Sequence, residues 1–216
     1  MRGPHEARLQ LKGTVIMKLT TMTQVTVDGV MQHGAWEEDR RNGFERSGWA
    51  KGAGDDETRP LITQTFEHAG AFLFGRRTYE FFAGSWGTIP DLRAHPIGVA
   101  LHTKPKYVAS TTLTEPRWAD TTVLSGDLAA AIGELKAKPG GELQVHGSGA
   151  LIRSLLANDL VDEMTLLVIP VVLGPGTRLF PADGPDTALD LISTRADSKG
   201  VMIQVYRPAG RPQYRR

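Results

Sequence analysis

The stretch ELQVHGSGALIRSLL, Glu142 to Leu156, decides the fold. Glu142–His146 follows the break Gly140-Gly141 and is too short for a stable helix, so it reads as a strand. Gly147-Ser148-Gly149 then turns the chain, and Leu151, Ile152, Leu155 and Leu156 recur at helical spacing. A strand, a glycine turn and an amphipathic helix in direct succession form one half of a βαβ unit. Glycines at such a turn let a phosphate approach backbone N–H groups at a helix start. A plain tight turn explains them equally well, because Gly147-x-Gly149-x-x-Ile152 lacks the third glycine of the dinucleotide fingerprint. His146, beside the glycines, reads first as a satisfied structural histidine and second as a ligand contact.

The same grammar recurs outward along the chain. Lys18–Val27 is rich in Thr and Val and reads as a strand before the turn Asp28-Gly29. Residues 33–57 hold few aliphatics, many charges, and the aromatics Phe44 and Trp49; so long an unstructured stretch points to a functional loop. Thr58 is expected to cap a helix with Pro60 in its first turn and Leu61, Ile62, Phe66 and Ala69 on one face. Ala71–Phe74 is a buried strand, and Gly75-Arg76-Arg77-Thr78 opens a second helix carrying Tyr79 and Phe82. Two arginines there fit either an anion at a helix N-terminus or an ordinary solvated surface. Residues 84–105 read as irregular, Lys106–Ala109 as a strand ending in Ser110-Thr111-Thr112, and Ser125 as the cap of a third helix. Met164–Ile169 is a strand, and Thr187–Ala196 and Val201–Tyr206 make a hairpin around Asp197–Gly200. Strands alternating with helices and closed by a hairpin predict an α/β fold: a twisted, mostly parallel sheet, helices on both faces, and an antiparallel C-terminal edge.

Composition narrows the function. Twenty-five Lys and Arg balance 24 Asp and Glu, a net charge of +1 that gives no basis for nucleic-acid binding. The chain has no cysteine, which fits a cytoplasmic protein and removes thiolate chemistry. No apolar run approaches the ~20 residues that span a bilayer. The six histidines lack metal-ligand spacing, so no metal is expected. No GK[ST] phosphate loop and no G-x-S-x-G elbow is present. Residues 1–16 are read as a disordered leader or tag, 17–207 as one domain, and 208–216 as a flexible basic tail. The apolar run Val168–Leu173 is expected to support a homodimer.

Seven segments in order, VTVDGVMQ (25–32), GFERSGW (43–49), LFGRRTYE (73–80), KYVASTTL (106–113), ELQVHGSGALIRSLL (142–156), LVDEM (160–164) and PVVLGPGTRLF (170–180), resemble the dihydrofolate-reductase-like superfamily. They are most similar to stand-alone bacterial proteins related to the reductase domain of the riboflavin-biosynthesis deaminase-reductase. The resemblance implies NADPH as hydride donor. It implies that Gly75, Arg76, Arg77 and Thr78 grip the cofactor phosphates, that Ser110 and Thr111 meet the 2′-phosphate, and that Gly147, Ser148 and Gly149 lie under the pyrophosphate. Asp28, Phe44 and Trp49 would then adjoin the substrate, with Arg153 and Arg178 as candidates for a substrate phosphate. The superfamily's carboxylate on the first helix would fall near Arg59 and Pro60, so one of Asp55, Asp56 and Glu57 is the candidate proton donor. The expected activity is reduction of a heterocycle, similar to 5-amino-6-(5-phosphoribosylamino)uracil reductase. A dihydrofolate or pterin reductase, or an NADP(H)-binding protein without catalysis, is the alternative.

Overall fold

The computed structural model describes residues 10–11, 14–33, 43–54, 56–184 and 186–215. Gln10–Leu11 (β1) and Thr14–Val15 (β2) form a small antiparallel pair. The main sheet has eight strands: Lys18–Thr26 (β3), Ala69–Gly75 (β4), Lys106–Ala109 (β5), Thr121–Leu124 (β6), Glu142–His146 (β7), Glu163–Ile169 (β8), Leu189–Ala196 (β9) and Met202–Pro208 (β10). Their order is β6-β5-β4-β7-β3-β8-β10-β9. The pairings from β6 through β8 are parallel, and β10 runs antiparallel to both β8 and β9. This is the expected sheet with its C-terminal hairpin at one edge.

Among the described residues six helices join the strands: Thr58–His68 (α1), Arg76–Gly84 (α2), Pro90–Ala94 (α3), Pro96–Thr103 (α4), Leu128–Lys136 (α5) and Gly149–Ala157 (α6). The central strands are apolar on both faces because both are covered. In β4, Ala71 and Leu73 join the core beneath α5 and α6, while Phe72 and Phe74 join an aromatic core with Phe66, Tyr79, Leu101 and Trp118. Removing Phe72 or Phe74 from water is worth ~2–3 kcal/mol each.

The structure corrects several local expectations. The segment 84–105 is not irregular: Pro90 and Pro96 each stand in the first turn of a helix, where a missing N–H costs nothing. Strand β6 was not legible, since TTVL is short and only half-buried at the sheet edge. Thr58 does not cap α1; its hydroxyl donates to Asp197 Oδ2 at 2.7 Å. Asp197 Oδ1 accepts from Lys199 N and Val201 N, so one buried carboxylate closes the β9–β10 turn and ties it to α1. The cap of α5 is Asp127, which accepts from Ala130 N at 3.1 Å, rather than Ser125.

Helices α3 and α4 meet backbone to backbone at Gly98, where a Cβ would collide with the Leu92 carbonyl oxygen. A carbonyl in a helix cannot yield as a side chain can. Gly98→Ala is therefore expected to cost ~1–3 kcal/mol or more, read as a lower urea midpoint at unchanged slope, whereas Gly133→Ala, with open space at its Cβ, should leave the midpoint unchanged or higher.

Candidate functional site

The three junctions singled out in the sequence follow β4, β5 and β7, which are consecutive neighbours in the sheet and end at the same edge. The fold therefore gathers them. Gly75 N donates to Ser148 Oγ at 3.0 Å, joining the first junction to the third. A Cβ on Gly147 would stand 3.5 Å from Thr78 Oγ1, so the two turns also touch there. Arg76 Nη1 donates to Thr112 Oγ1 at 2.6 Å, joining the first junction to the second, and Arg76 Nε donates to Glu80 at 2.7 Å.

Two helix starts, α2 and α6, face this rim. Neither has a side chain capping its first N–H groups, and neither has an acidic residue in its first turn. Ser148 would be the natural cap of α6, but its hydroxyl is taken by Gly75 N. Gly147 (φ 60°) and Ser148 (φ 56°) both adopt the left-handed conformation, an uncommon one for serine. Two adjacent helix starts without a side-chain cap, with Arg76 and Arg77 beside them, offer the partial positive charge that suits an anion. These residues fit a phosphate-rich dinucleotide. Gly149 serves a different end: a Cβ there would strike Met31 Sδ, so its smallness admits the chain after β3.

In the second junction, Ser110 Oγ accepts from Thr112 N at 3.2 Å and Leu113 N at 3.0 Å, and Thr111 stands exposed at the turn. Arg153 and Arg178 are engaged in holding loops. Arg153 donates to the Leu179 carbonyl, and Arg178 to the carbonyls of Asp28 and Gly174.

Asp28 acts as a clamp. Its Oδ1 accepts from the Thr26 hydroxyl at 2.6 Å and Leu173 N, and its Oδ2 from Gly174 N at 2.8 Å. The Thr26 hydroxyl above all, with these N–H groups, lowers its pKa to about 2 against the opposing effect of desolvation. Phe44 is buried against Gly176, whose φ of 126° and close neighbours Val30 and Phe44 leave no room for a side chain. Trp49 stacks on His33 at 4.8 Å and donates to the Gln32 carbonyl at 2.7 Å. Asp55 lies outside the described residues. Asp56 is exposed and paired with Arg59, and Glu57 faces Arg195 at 3.7 Å; neither lines the cleft described next.

A cleft of about 360 Å³ lies between α1 and the sheet. Leu61, Gln64, Thr65 and His68 of α1 form its roof, and polar side chains of β7, β3 and β8 its floor. Buried Gln144 donates through Nε2 to the Thr65 carbonyl at 2.7 Å and to Glu142 Oε2 at 2.9 Å. Its Oε1 meets His146 Nε2 at 3.0 Å. His146 stacks on Phe66 at 3.8 Å between ring centres. Burial drives its pKa down to about 3, so it is neutral at pH 7. The cleft ends at His146, immediately before the Gly147 turn. Glu142, Gln144 and Glu163 are not among the residues found from sequence. The signal was the alternation in ELQVH, whose polar positions share one face of β7.

The fold and the site define a dihydrofolate-reductase-like α/β protein. The chain matches the RibD C-terminal domain across residues 17–203 and belongs to that family, whose function is of the reductase type. It is 29% identical over 150 residues to the uncharacterized protein YyaP of Bacillus subtilis (strain 168), covering 67% of this chain and 77% of YyaP. Among solved structures it resembles a putative riboflavin biosynthesis protein from Shewanella sp. PV-4, with TM-score 0.64 and 22% identity over 89% of this chain and 99% of that one. It also resembles a pyrimidine reductase-like protein from Corynebacterium diphtheriae, with TM-score 0.60 and 15% identity over 89% and 92%. A third likeness is the dihydrofolate reductase of Enterococcus faecalis complexed with NADP(H), with TM-score 0.57 and 12% identity over 88% and 96%. Among the described residues no helix is long and apolar enough to cross a membrane.

The depressed His146 pKa makes stability depend on pH. In the unfolded chain the imidazole titrates near 6.5; in the fold it titrates near 3. The stabilisation is complete above pH 6.5 and is lost as pH falls toward 3, by up to ~1.4 kcal/mol per unit. Between pH 7.5 and 5 the unfolding free energy of the wild type should drop by about 2 kcal/mol more than that of His146→Gln. Parallel pH profiles of the two proteins would refute the assignment.

Proposed function

We propose that the protein is an NADPH-dependent reductase of a small nitrogen heterocycle. The observation that carries this reading is the meeting of the three junctions at two uncapped helix starts. The first-turn N–H groups of α2 and α6 would hold the cofactor's phosphates, helped by Arg76 and Arg77. Ser110 and Thr111 at the neighbouring turn would receive the 2′-phosphate, the feature that separates NADPH from NADH. The bound cofactor supplies a hydride. The substrate would lie in the cleft beneath α1, which ends beside the Gly147 turn, where Met22 and Leu61 give an apolar wall and His146 a neutral polar one. A C=N or C=O carbon would take the hydride, and the adjoining heteroatom a proton. His146 is unprotonated at neutral pH and Asp56 points outward, so water entering the cleft would carry that proton. One observation favours a second reading, binding without turnover: α1 presents no carboxylate to the cleft. Oxidation of NADPH with any member of a pterin, aminouracil and quinone panel would exclude it.

We also propose a homodimer. Strand β8 lies inside the sheet, so Val168 and Ile169 offer no edge. Of the two edge strands, β6 and β9, β9 is exposed along its length, with Leu189, Leu191 and Ile192 among its exposed residues. Light scattering across a dilution series should give twice the chain mass; a monomer at every concentration would end this part of the proposal.

Calorimetric titration is the direct test of the cofactor. NADPH is expected to bind at least tenfold more tightly than NADH, and Arg76→Ala/Arg77→Ala should weaken NADPH by a further ~10–100-fold, as loss of charge-assisted bonds implies. Absence of NADPH binding to the wild type would overturn the reading.

A further inference from the structure

Arg76 stands at a helix end that disfavours its charge. It is the first residue of α2, and no acidic residue shares that first turn. A cation beside the bare N–H groups of a helix start is destabilising. The ion pair with Glu80 offsets little of this. Its Nε–Oε1 distance is 2.7 Å, but the two side chains are 45% and 42% exposed, and arginine precedes glutamate at i,i+4, the weaker order. Local stability therefore gives no reason for an arginine here. A second tether is not local: Nη1 donates to the Thr112 hydroxyl at 2.6 Å, 36 positions along the chain.

The two tethers decide which atoms remain. Nε is turned to Glu80 and Nη1 to Thr112, so the guanidinium plane is fixed from α2 on one side and from the turn after β5 on the other. Nη2 has no partner among the described residues. Thr112 is itself held in place. Its N donates to Ser110 Oγ at 3.2 Å, beside Leu113 N at 3.0 Å. Those two N–H groups occupy the Ser110 oxygen as an acceptor, and Arg76 occupies that of Thr112. The two hydroxyls lie 3.5 Å apart, so at most one of their hydrogens is spent between them. The other hydroxyl hydrogen and Nη2 are left to donate outward. Such a group of donors suits a ligand oxyanion, which only accepts.

We propose that Thr112 and Glu80 are positioning residues, which clasp Arg76 so that it is preset for a phosphate monoester on the cofactor's ribose. Thr112 acts through Arg76 and need not touch the ligand. An arginine free in solvent gives up rotamer freedom when it binds a phosphate; one already held from two sides gives up less, and the difference appears as affinity. A cofactor without that phosphate meets the same helix starts but gains nothing from the clasp. The effect of Thr112 therefore falls on the choice between the two cofactors rather than on affinity for both. The inference rests on the NADPH reading for the identity of the ligand, and on the contacts of Arg76 for the device.

The test is calorimetric titration of the full chain with two pairs of ligands: NADPH and NADH, and adenosine 2′,5′-bisphosphate and adenosine 5′-monophosphate. The members of each pair differ only in the 2′-phosphate. Thr112→Val keeps the shape of the side chain and removes the hydroxyl. It is expected to cut the preference for the phosphorylated member of each pair about fivefold, with NADH affinity and the melting profile close to wild type. Thr112→Ser, which keeps the hydroxyl, should keep the preference. Glu80→Gln should cut it by only about twofold, because an exposed ion pair is the weaker tether. A preference unchanged in Thr112→Val, lost equally in Thr112→Ser, or absent from the wild type for both pairs would overturn the proposal. Failure of the reductase reading shows separately: neither NADPH nor NADH binds, while the Thr112-dependent preference for the bisphosphate persists.

Discussion

The register of β3 between β7 and β8 is the constraint on which the other features depend. The strand KLTTMTQVT is buried for most of its length and alternates its side chains between two unlike environments. Leu19 and Val25 enter the main core with Leu143, Val145 and Met164, while Thr20 and Met22 face α1. A slip of one residue would send Leu19 into the polar cleft and Thr20 into the core. Asp162 helps to hold the register from outside the strands: its Oδ2 accepts Leu19 N at 2.8 Å and pairs with Lys136 at 2.6 Å.

From that register the division of labour follows. Parallel strands deliver their carboxyl ends to one edge, so the turns after β4, β5 and β7 assemble without any contact between them in sequence. The helices that leave those turns bring partial positive charge to the same place. The α1 face of the same strands, read at alternate positions, becomes the floor of a cleft whose far end adjoins the glycine turn. The rim of turns and the cleft thus follow from two perpendicular directions in one sheet: the strand axis and the side-chain normal.

Much of this was legible in the chain. Glu142–His146, Lys106–Ala109 and the helix start at Arg76 stand where apolar runs and glycines placed them, because glycine breaks act locally. The sequence signals at Gly75, Ser110 and Gly147 all fall on the assembled rim. Other signals were ambiguous for physical reasons. Thr58 and Ser125 have the right chemistry for caps, but a distant carboxylate claims the first and the nearer Asp127 displaces the second. The resemblance places Asp28 beside the substrate; in the fold its carboxylate also holds the loop at 173–174.

The sequence by itself determined the class of fold, the three junctions and the family to which they belong, since each rests on local periodicity, turn chemistry or ordered motifs. Only the tertiary structure decided which polar residues act together. Thr20 meets Glu142 across 122 positions, and Ser148 meets Gly75 across 73. No local propensity encodes such pairings. They arise when the strands find their register, because burial of both faces of the sheet favours the arrangement in which the core is apolar and Gln144, His146 and Thr20 of the α1 cleft find hydrogen-bond partners.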